Sequence, residues 1–390
     1  MAASVVQRVA IAAVLGAASS LSAQAPSASP RHITLNFGVD TTAAITDGWG
    51  DYAWHAPVPE ITRNWITYLR ADSAGRAALW SPSERERWPQ FDIAGAMSDP
   101  GFVAPATITM IQPSPDGARD SYVIKTLYAV ADSSKAVRAL FVERVYAARE
   151  GGRWVFANAL PRLTRDWPHY RVGNGTFIVQ PGRRFDRAKA AHTVAFADSL
   201  ADAYSVPRLP DFTYYVTNSE DDMYRAAGVD PMFGAQAAAG RALPIDRIIM
   251  SGSTEQGEGY THELVHAVFA PLMSIRTSSF ASEGVASWLG GSLGADFPTM
   301  MHNYAAYLRA HPTITLDSVF AGSGNVDRGQ RPAAAMLFEM AHVKRGVQAV
   351  KALATAPTRT LADIRTAATT VLGVAWPSIE QQWRDSIMRY

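Results

Sequence analysis

Apolar residues change their spacing several times along the chain, and each change marks an expected element. Ile61, Trp65, Tyr68 and Leu69 recur at three and four residues, which predicts an amphipathic helix, and Phe91 to Met97 suggests a second, shorter helical piece. After Pro105 the period becomes that of strands. Thr107 to Ile111, Ser121 to Val130, Val137 to Tyr146 and Arg153 to Asn158 are rich in β-branched and aromatic residues, with turn signals between them at 113–117, 132–134 and 151–152. Further on, Phe177 to Val179, Phe212 to Val216 and Ile248 to Met250 read as three short strands, with a helix through Ala191, Val194 and Ala195 between the first two. After Gly291 the pattern is helical to the end, as in Ile364, Ala368, Val371 and then Ile379, Trp383, Ile387. The expected class is α+β, with N-terminal helices and a curved antiparallel sheet, then a lobe with a small sheet and helices, then an all-helical tail.

Length makes two domains the natural expectation for 390 residues, and 48% hydrophobic with 18% charged residues is an ordinary globular composition. The Pro-containing stretch from Arg162 to Gly175 reads as the linker, which divides the chain into 31–165 and 170–390. The first residues stand apart from both. Arg8, the apolar run Val9 to Leu21 and the small-residue site Ala23-Gln24-Ala25 have the layout of a secretory signal peptide, so 1–25 is expected to be removed on export. That run is too short to span a bilayer comfortably, and no stable membrane span is expected elsewhere.

Charge and cysteine content narrow the classes further. Without 1–25 the chain loses only Arg8 and carries 35 basic and 35 acidic residues, which gives no electrostatic reason to expect nucleic acid or an anionic membrane as a partner. There is no cysteine, hence no disulfide, thiolate ligand or thiol nucleophile. An exported chain of this kind suits a bacterial periplasm or the surrounding medium.

The candidate chemistry lies between the small sheet and the helical tail. HELVH at 262–266 sets His262 and His266 one turn apart on the same face of a helix, close enough to share one metal ion, with Glu263 beside them to take a proton from a metal-bound water. A two-histidine site needs another protein ligand. Glu283, 17 residues after His266 in Ser282-Glu283-Gly284-Val285-Ala286, is the best candidate by spacing, since the interval allows a turn and a second helix that Gly290-Gly291 stops. Glu255 and Glu258 precede the metal helix and read as residues that cap or solvate its start, and the run Arg183, Arg184, Arg187, Lys189 with Asp186 reads as a solvated face.

HELVH followed by a Ser-Glu-Gly-x-Ala segment resembles the gluzincin branch of metallopeptidases, the thermolysin-like, peptidase MA-like group. That resemblance implies a zincin-like lobe, Zn2+ as cofactor, His262, His266 and Glu283 as its ligands, Glu263 as general base, and a peptide or protein as substrate. Two positions depart from the pattern: Ser287 stands where relatives often have a carboxylate that orients a ligand histidine, and Tyr260, Tyr304 and Tyr307 are equal candidates for an oxyanion-stabilising group. The alternative reading is an exported metal- or ligand-binding protein that keeps the scaffold without catalysis. The helices and meander of 31–165 resemble the nuclear-transport-factor-like cone fold, in which Trp49, Trp54, Trp65 and Trp80 either line a ligand cone or pack the core.

Overall fold

The structure is a computed structural model in which 31–35, 39–43, 56–98, 107–117, 120–131, 137–231, 239–273, 279–321 and 329–390 are described. The expected signal peptide at 1–25, and Trp49 and Trp54, lie outside the described residues.

A short hairpin, β1 (Arg31–Leu35) with β2 (Val39–Ala43), precedes four helices: α1 (Pro57–Arg70), α2 (Ser73–Leu79), α3 (Pro82–Arg87) and α4 (Ile93–Ser98). Strands β3 (Thr107–Pro115), β4 (Ser121–Ala131), β5 (Val137–Glu150) and β6 (Arg153–Asn158) then form an antiparallel meander. Its strand content matches the β-branched and aromatic runs of the sequence, because such side chains fit a pleated, half-buried surface. The helix expected at Ile61 to Leu69 is α1, whose Ile61, Trp65, Tyr68 and Leu69 are all buried.

After α5 (Leu160–Leu163) come β7 (His169–Val172), β8 (Gly175–Val179), α6 (Arg187–Ala203), β9 (Phe212–Val216), α7 (Glu220–Ala227), β10 (Val229–Pro231), β11 (Gly240–Leu243) and β12 (Ile248–Ser251). The linker expected at 162–175 is therefore secondary structure for much of its length. Pro161 opens α5, and the Pro168 carbonyl accepts a hydrogen bond from the Val179 amide at 3.0 Å, so both prolines start elements rather than separate them. The second sheet runs β11-β12-β9-β8-β7, parallel at its centre and antiparallel at both edges. β10 leaves it and pairs with β5 of the first sheet, Val229 opposite Glu143. The turn into β10 needs Gly228, which has φ of 96° and would set a Cβ 2.7 Å from the Arg144 carbonyl oxygen.

The central strands β8, β9 and β12 of the second sheet are buried on both faces, which explains why they read as unbroken apolar runs. Phe177, Val179, Tyr214, Val216 and Ile249 face the helices that follow, whereas the alternate residues Ile178, Tyr215, Ile248 and Met250 join the core built by α1 to α4 and the meander. The remaining elements are helices: α8 (Thr261–Phe269), α9 (Ser279–Gly290), α10 (Phe297–Ala310), α11 (Leu316–Ala321), α12 (Arg331–Thr355), α13 (Leu361–Leu372) and α14 (Trp376–Ile387). α8 packs on β11, β12 and α6, and α9 lies between α8 and α12. Among the described residues no helix is long and apolar enough to cross a membrane.

Candidate metal centre

α8 carries HELVH, and α9 crosses it with its own C-terminal end against the first turn. Two contacts hold the crossing: the Thr261 hydroxyl donates to the Gly290 carbonyl at 2.9 Å, and His262 Nδ1 lies 2.6 Å from the Gly291 carbonyl oxygen. A carbonyl only accepts, so Nδ1 is the protonated nitrogen of His262 and its Nε2 lone pair faces inward. On the next turn, His266 Nδ1 is 3.0 Å from the Ser282 hydroxyl, which likewise directs its Nε2 to the same point. The two Nε2 atoms are 3.2 Å apart. Two lone pairs at that distance repel unless a proton or a cation lies between them.

Glu283 completes the cluster. Its Oε2 is 3.4 Å from His262 Nε2, and its Oε1 is 3.5 Å from His266 Nε2. Ligand atoms ~2.0–2.1 Å from a tetrahedral ion lie roughly 3.3–3.4 Å from one another, so the spacings of 3.2, 3.4 and 3.5 Å are those of three corners of such a site. His262, His266 and Glu283 are the one group of potential metal ligands among the described residues. Two nitrogens and one carboxylate are also a donor set that suits zinc.

Gly284, next to the carboxylate, lets α12 approach: a Cβ there would come within 2.8 Å of the Ala334 Cβ. That approach brings Arg331, at the start of α12, to Glu283, with Nε 2.8 Å from Oε2. The electrostatics follow from this crowding. Burial would raise the Glu283 carboxyl, but the His262 hydrogen bond and the charges of His266 and Arg331 hold it well below the usual carboxylate range. Burial pushes His266 down to about 4 against the attraction of Glu283. Burial also opposes protonation of His262, yet hydrogen bonding and charge from Glu283, with Glu263, raise it. Glu263 is 6% exposed, and burial raises its carboxyl, with His262, Arg241 and Arg331 acting in the other direction.

All these side chains line one cavity of about 570 Å3, together with Tyr260 and the edge strand β11. Of the three tyrosines considered, Tyr260 lines it, buried and with its phenol held in the neutral form by burial and by Glu263. Tyr304 is buried with a hydroxyl that has no hydrogen-bond partner among the described residues, and Tyr307 is exposed; both are on α10 and outside the cavity lining. Ser287 is buried and points no hydrogen bond at either histidine, so the carbonyl of Gly291 and the hydroxyl of Ser282 are what orient the two imidazoles. Glu258 accepts from the Asp186 amide, and Asp296 caps α10, so neither competes as a ligand. The Arg183 to Lys189 run is also occupied: Arg183 donates to the Thr217 and Thr254 carbonyls, and Asp186 caps α6.

Sequence reasoning missed Arg241, Arg331, Ser282 and Gly291. An arginine 48 residues beyond Glu283 has no local signal, and a glycine carbonyl leaves none in a sequence.

No protein-family model and no curated protein sequence matches the chain. Among solved structures it is similar to a glutamate-to-alanine mutant of an M1 zinc metallopeptidase from Deinococcus radiodurans, with TM-score 0.34 and 14% identity over 72% of this chain and 63% of that one. The same mutant bound to a Tyr-Ser-Ala substrate gives TM-score 0.34 and 14% identity over 73% and 64%. A two-domain M1 zinc metallopeptidase mutant bound to L-tryptophan gives TM-score 0.30 and 12% identity over 73% and 63%. The chain thus spans less than two thirds of the length of each.

Proposed function

We propose that this protein is a zinc-dependent peptidase, with His262, His266 and Glu283 as metal ligands and Glu263 as general base. The observation that carries the reading is the convergence of two Nε2 atoms and one carboxylate at tetrahedral spacing, each histidine fixed through its other nitrogen. Zinc bound there supplies a Lewis acid that acidifies water and polarises a substrate carbonyl.

The protein's own residues do the rest. Glu263 follows His262 on α8 but does not join the ligand cluster, so its carboxylate is free to accept a proton from the attacking water and return it to the leaving amine. A carboxyl raised by burial holds that proton better between the two steps. Tyr260 brings a neutral phenol to the same cavity, a donor for the oxyanion that develops on the substrate. Arg331 keeps Glu283 ionised and oriented. The signal-like segment 1–25 supports action outside the cytoplasm, in the periplasm or medium.

Glu263→Gln tests the assignment because the amide keeps the shape and loses the base. One zinc per chain should be retained, while hydrolysis of a mixed peptide pool, followed by mass spectrometry, falls about a hundredfold to ten-thousandfold. Turnover near the wild-type rate would remove Glu263 from the mechanism, and no hydrolysis by the zinc-loaded wild type would favour the non-catalytic reading.

A further inference from the structure

The N-terminal region holds a second cavity that the peptidase reading does not use. It measures about 510 Å3, the size of a small-molecule site, and lies between α1, the α3–α4 segment and the meander. Two carboxyl groups line it from different elements. Asp92, just before α4, accepts from the Tyr68 hydroxyl at 2.6 Å and the Gly95 amide at 2.8 Å. Glu143, on β5 and 3% exposed, accepts from the Tyr128 hydroxyl at 3.0 Å. Aromatic rings make up much of the remaining wall, with Trp65 stacked on Tyr68 at 4.8 Å and Phe91 nearby.

Structural demand alone does not account for this arrangement. Burying two acids is costly, and a core that needed only volume would fill the space with apolar side chains. The cost is visible here: burial and the neighbouring Asp92 push the Glu143 carboxyl up to about 8, and burial raises Asp92 as well. Arg76, whose guanidinium lies 5.3 Å from the Tyr68 ring centroid and donates to the Ala71 carbonyl, is the one basic residue among the described residues of the lining, against two acids. An anion would meet two acids, whereas a cation can take the place of the proton that burial holds on Glu143 and pair with Asp92 and Glu143 together, Arg76 offsetting one of the two charges. Aromatic faces attract a desolvated cation further.

We propose that this cavity is a second ligand site, which takes an organic cation: an ammonium or guanidinium group on an apolar or aromatic body, held by Asp92 and Glu143 against the wall of Trp65 and Tyr68. Gln90 lines both this cavity and the metal cavity, so the two share a wall. The same cationic group thus has two possible sources, a free amine or a basic residue of a peptide lying in the metal cavity.

Calorimetric titration of the full-length protein with 2-phenylethylammonium tests the site. One amine per chain should bind, at least about tenfold more tightly than the neutral 2-phenylethanol, and Glu143→Gln and Asp92→Asn should each weaken it at least about tenfold. Tyr128→Phe, which keeps both acids, should weaken it less, and unchanged zinc stoichiometry and circular dichroism would show that the variants are folded. Displacement of the amine by a lysine-containing hexapeptide, but not by its alanine counterpart, would identify the peptide as the source; no displacement by either would identify the free amine. Both agree with the site. Absence of binding up to about 10 mM, equal binding of the alcohol, or full binding by folded Glu143→Gln and Asp92→Asn proteins would overturn it. None of these readouts depends on hydrolysis, so the outcome is independent of the peptidase reading.

Discussion

Gly290→Ala should dismantle the metal centre without touching a ligand. A Cβ at this position would lie 2.7 Å from both the backbone N and Cα of His262, whereas ordinary van der Waals contact starts at 3.4 Å. Backbone cannot rotate aside, so α9 must move away from α8 by about 0.7 Å, more than three times the roughly 0.2 Å tolerance of a metal–ligand bond. Glu283 sits two turns earlier on the same helix and moves with it. The Gly291 carbonyl that fixes His262 moves as well. Zinc affinity should fall at least about tenfold, within the range of about 10–100-fold seen when groups that orient ligands are removed. Global stability is a weaker readout, because about 1–3 kcal/mol of overpacking is partly offset by the gain of roughly 0.5–1 kcal/mol when a helical glycine becomes alanine. The assay is competition for zinc against a chromophoric chelator at 25 °C, supported by metal analysis after dialysis. A folded Gly290→Ala protein with wild-type zinc affinity would refute the idea that close approach of α8 and α9 sets the site.

Glu283→Ala should be more severe. It removes one of the three proposed ligands, and a hundredfold loss of affinity withdraws about 2.7 kcal/mol of zinc-linked stability. In a chain this long that is about 3 °C of melting temperature if unfolding is cooperative, so a zinc-dependent melting shift equal to the wild type would exclude Glu283 as a ligand. The Glu143 carboxyl, raised from its ordinary 4.5 to about 8, binds its proton more tightly in the folded protein than in the unfolded one. The stability this gives is full below pH 4.5 and is lost as pH rises to about 8, on the order of a few kcal/mol. Urea unfolding across that range should therefore show a decline that Glu143→Gln lessens, and parallel profiles would count against it. Residues 170–390 produced alone should be insoluble or bind a hydrophobic dye. They would expose Ile178, Tyr215, Ile248 and Met250, at roughly 1.5–3 kcal/mol each a loss comparable with a whole domain's stability of about 5–15 kcal/mol. A soluble fragment with a sharp unfolding transition would show that this sheet face tolerates water.

Local information in the sequence is what made the elements and the two-histidine face readable. HELVH is confined to five residues, and helical periodicity alone places its histidines on one face, at Nε2 atoms now 3.2 Å apart. α1, the meander and the helical tail were equally legible, because their side-chain periods follow from helix or strand geometry without reference to the rest of the chain. Glu283 was readable one step further, since its distance along the chain allows a turn and a second helix.

What the sequence did not contain is who packs against whom. β7 looked like a linker because a four-residue edge strand bounded by proline carries no period of its own; its pairing with β8 makes it a strand. The apolar runs of β8, β9 and β12 announced burial but not that one sheet serves two cores, a fact that depends on which layer covers each face. Arg331, the Gly291 carbonyl and the Ser282 hydroxyl reach Glu283, His262 and His266 only because glycines at 284 and 290 let α9 pack closely on α12 and α8. Asp92 and Glu143, about fifty positions apart, likewise meet in a cavity that exists only once α4 has packed on β5. The convergence of His262 and His266 follows from local geometry and was therefore legible in the sequence, whereas the groups that orient and charge His262, His266 and Glu283 depend on close approach between distant segments, which tertiary packing alone decides.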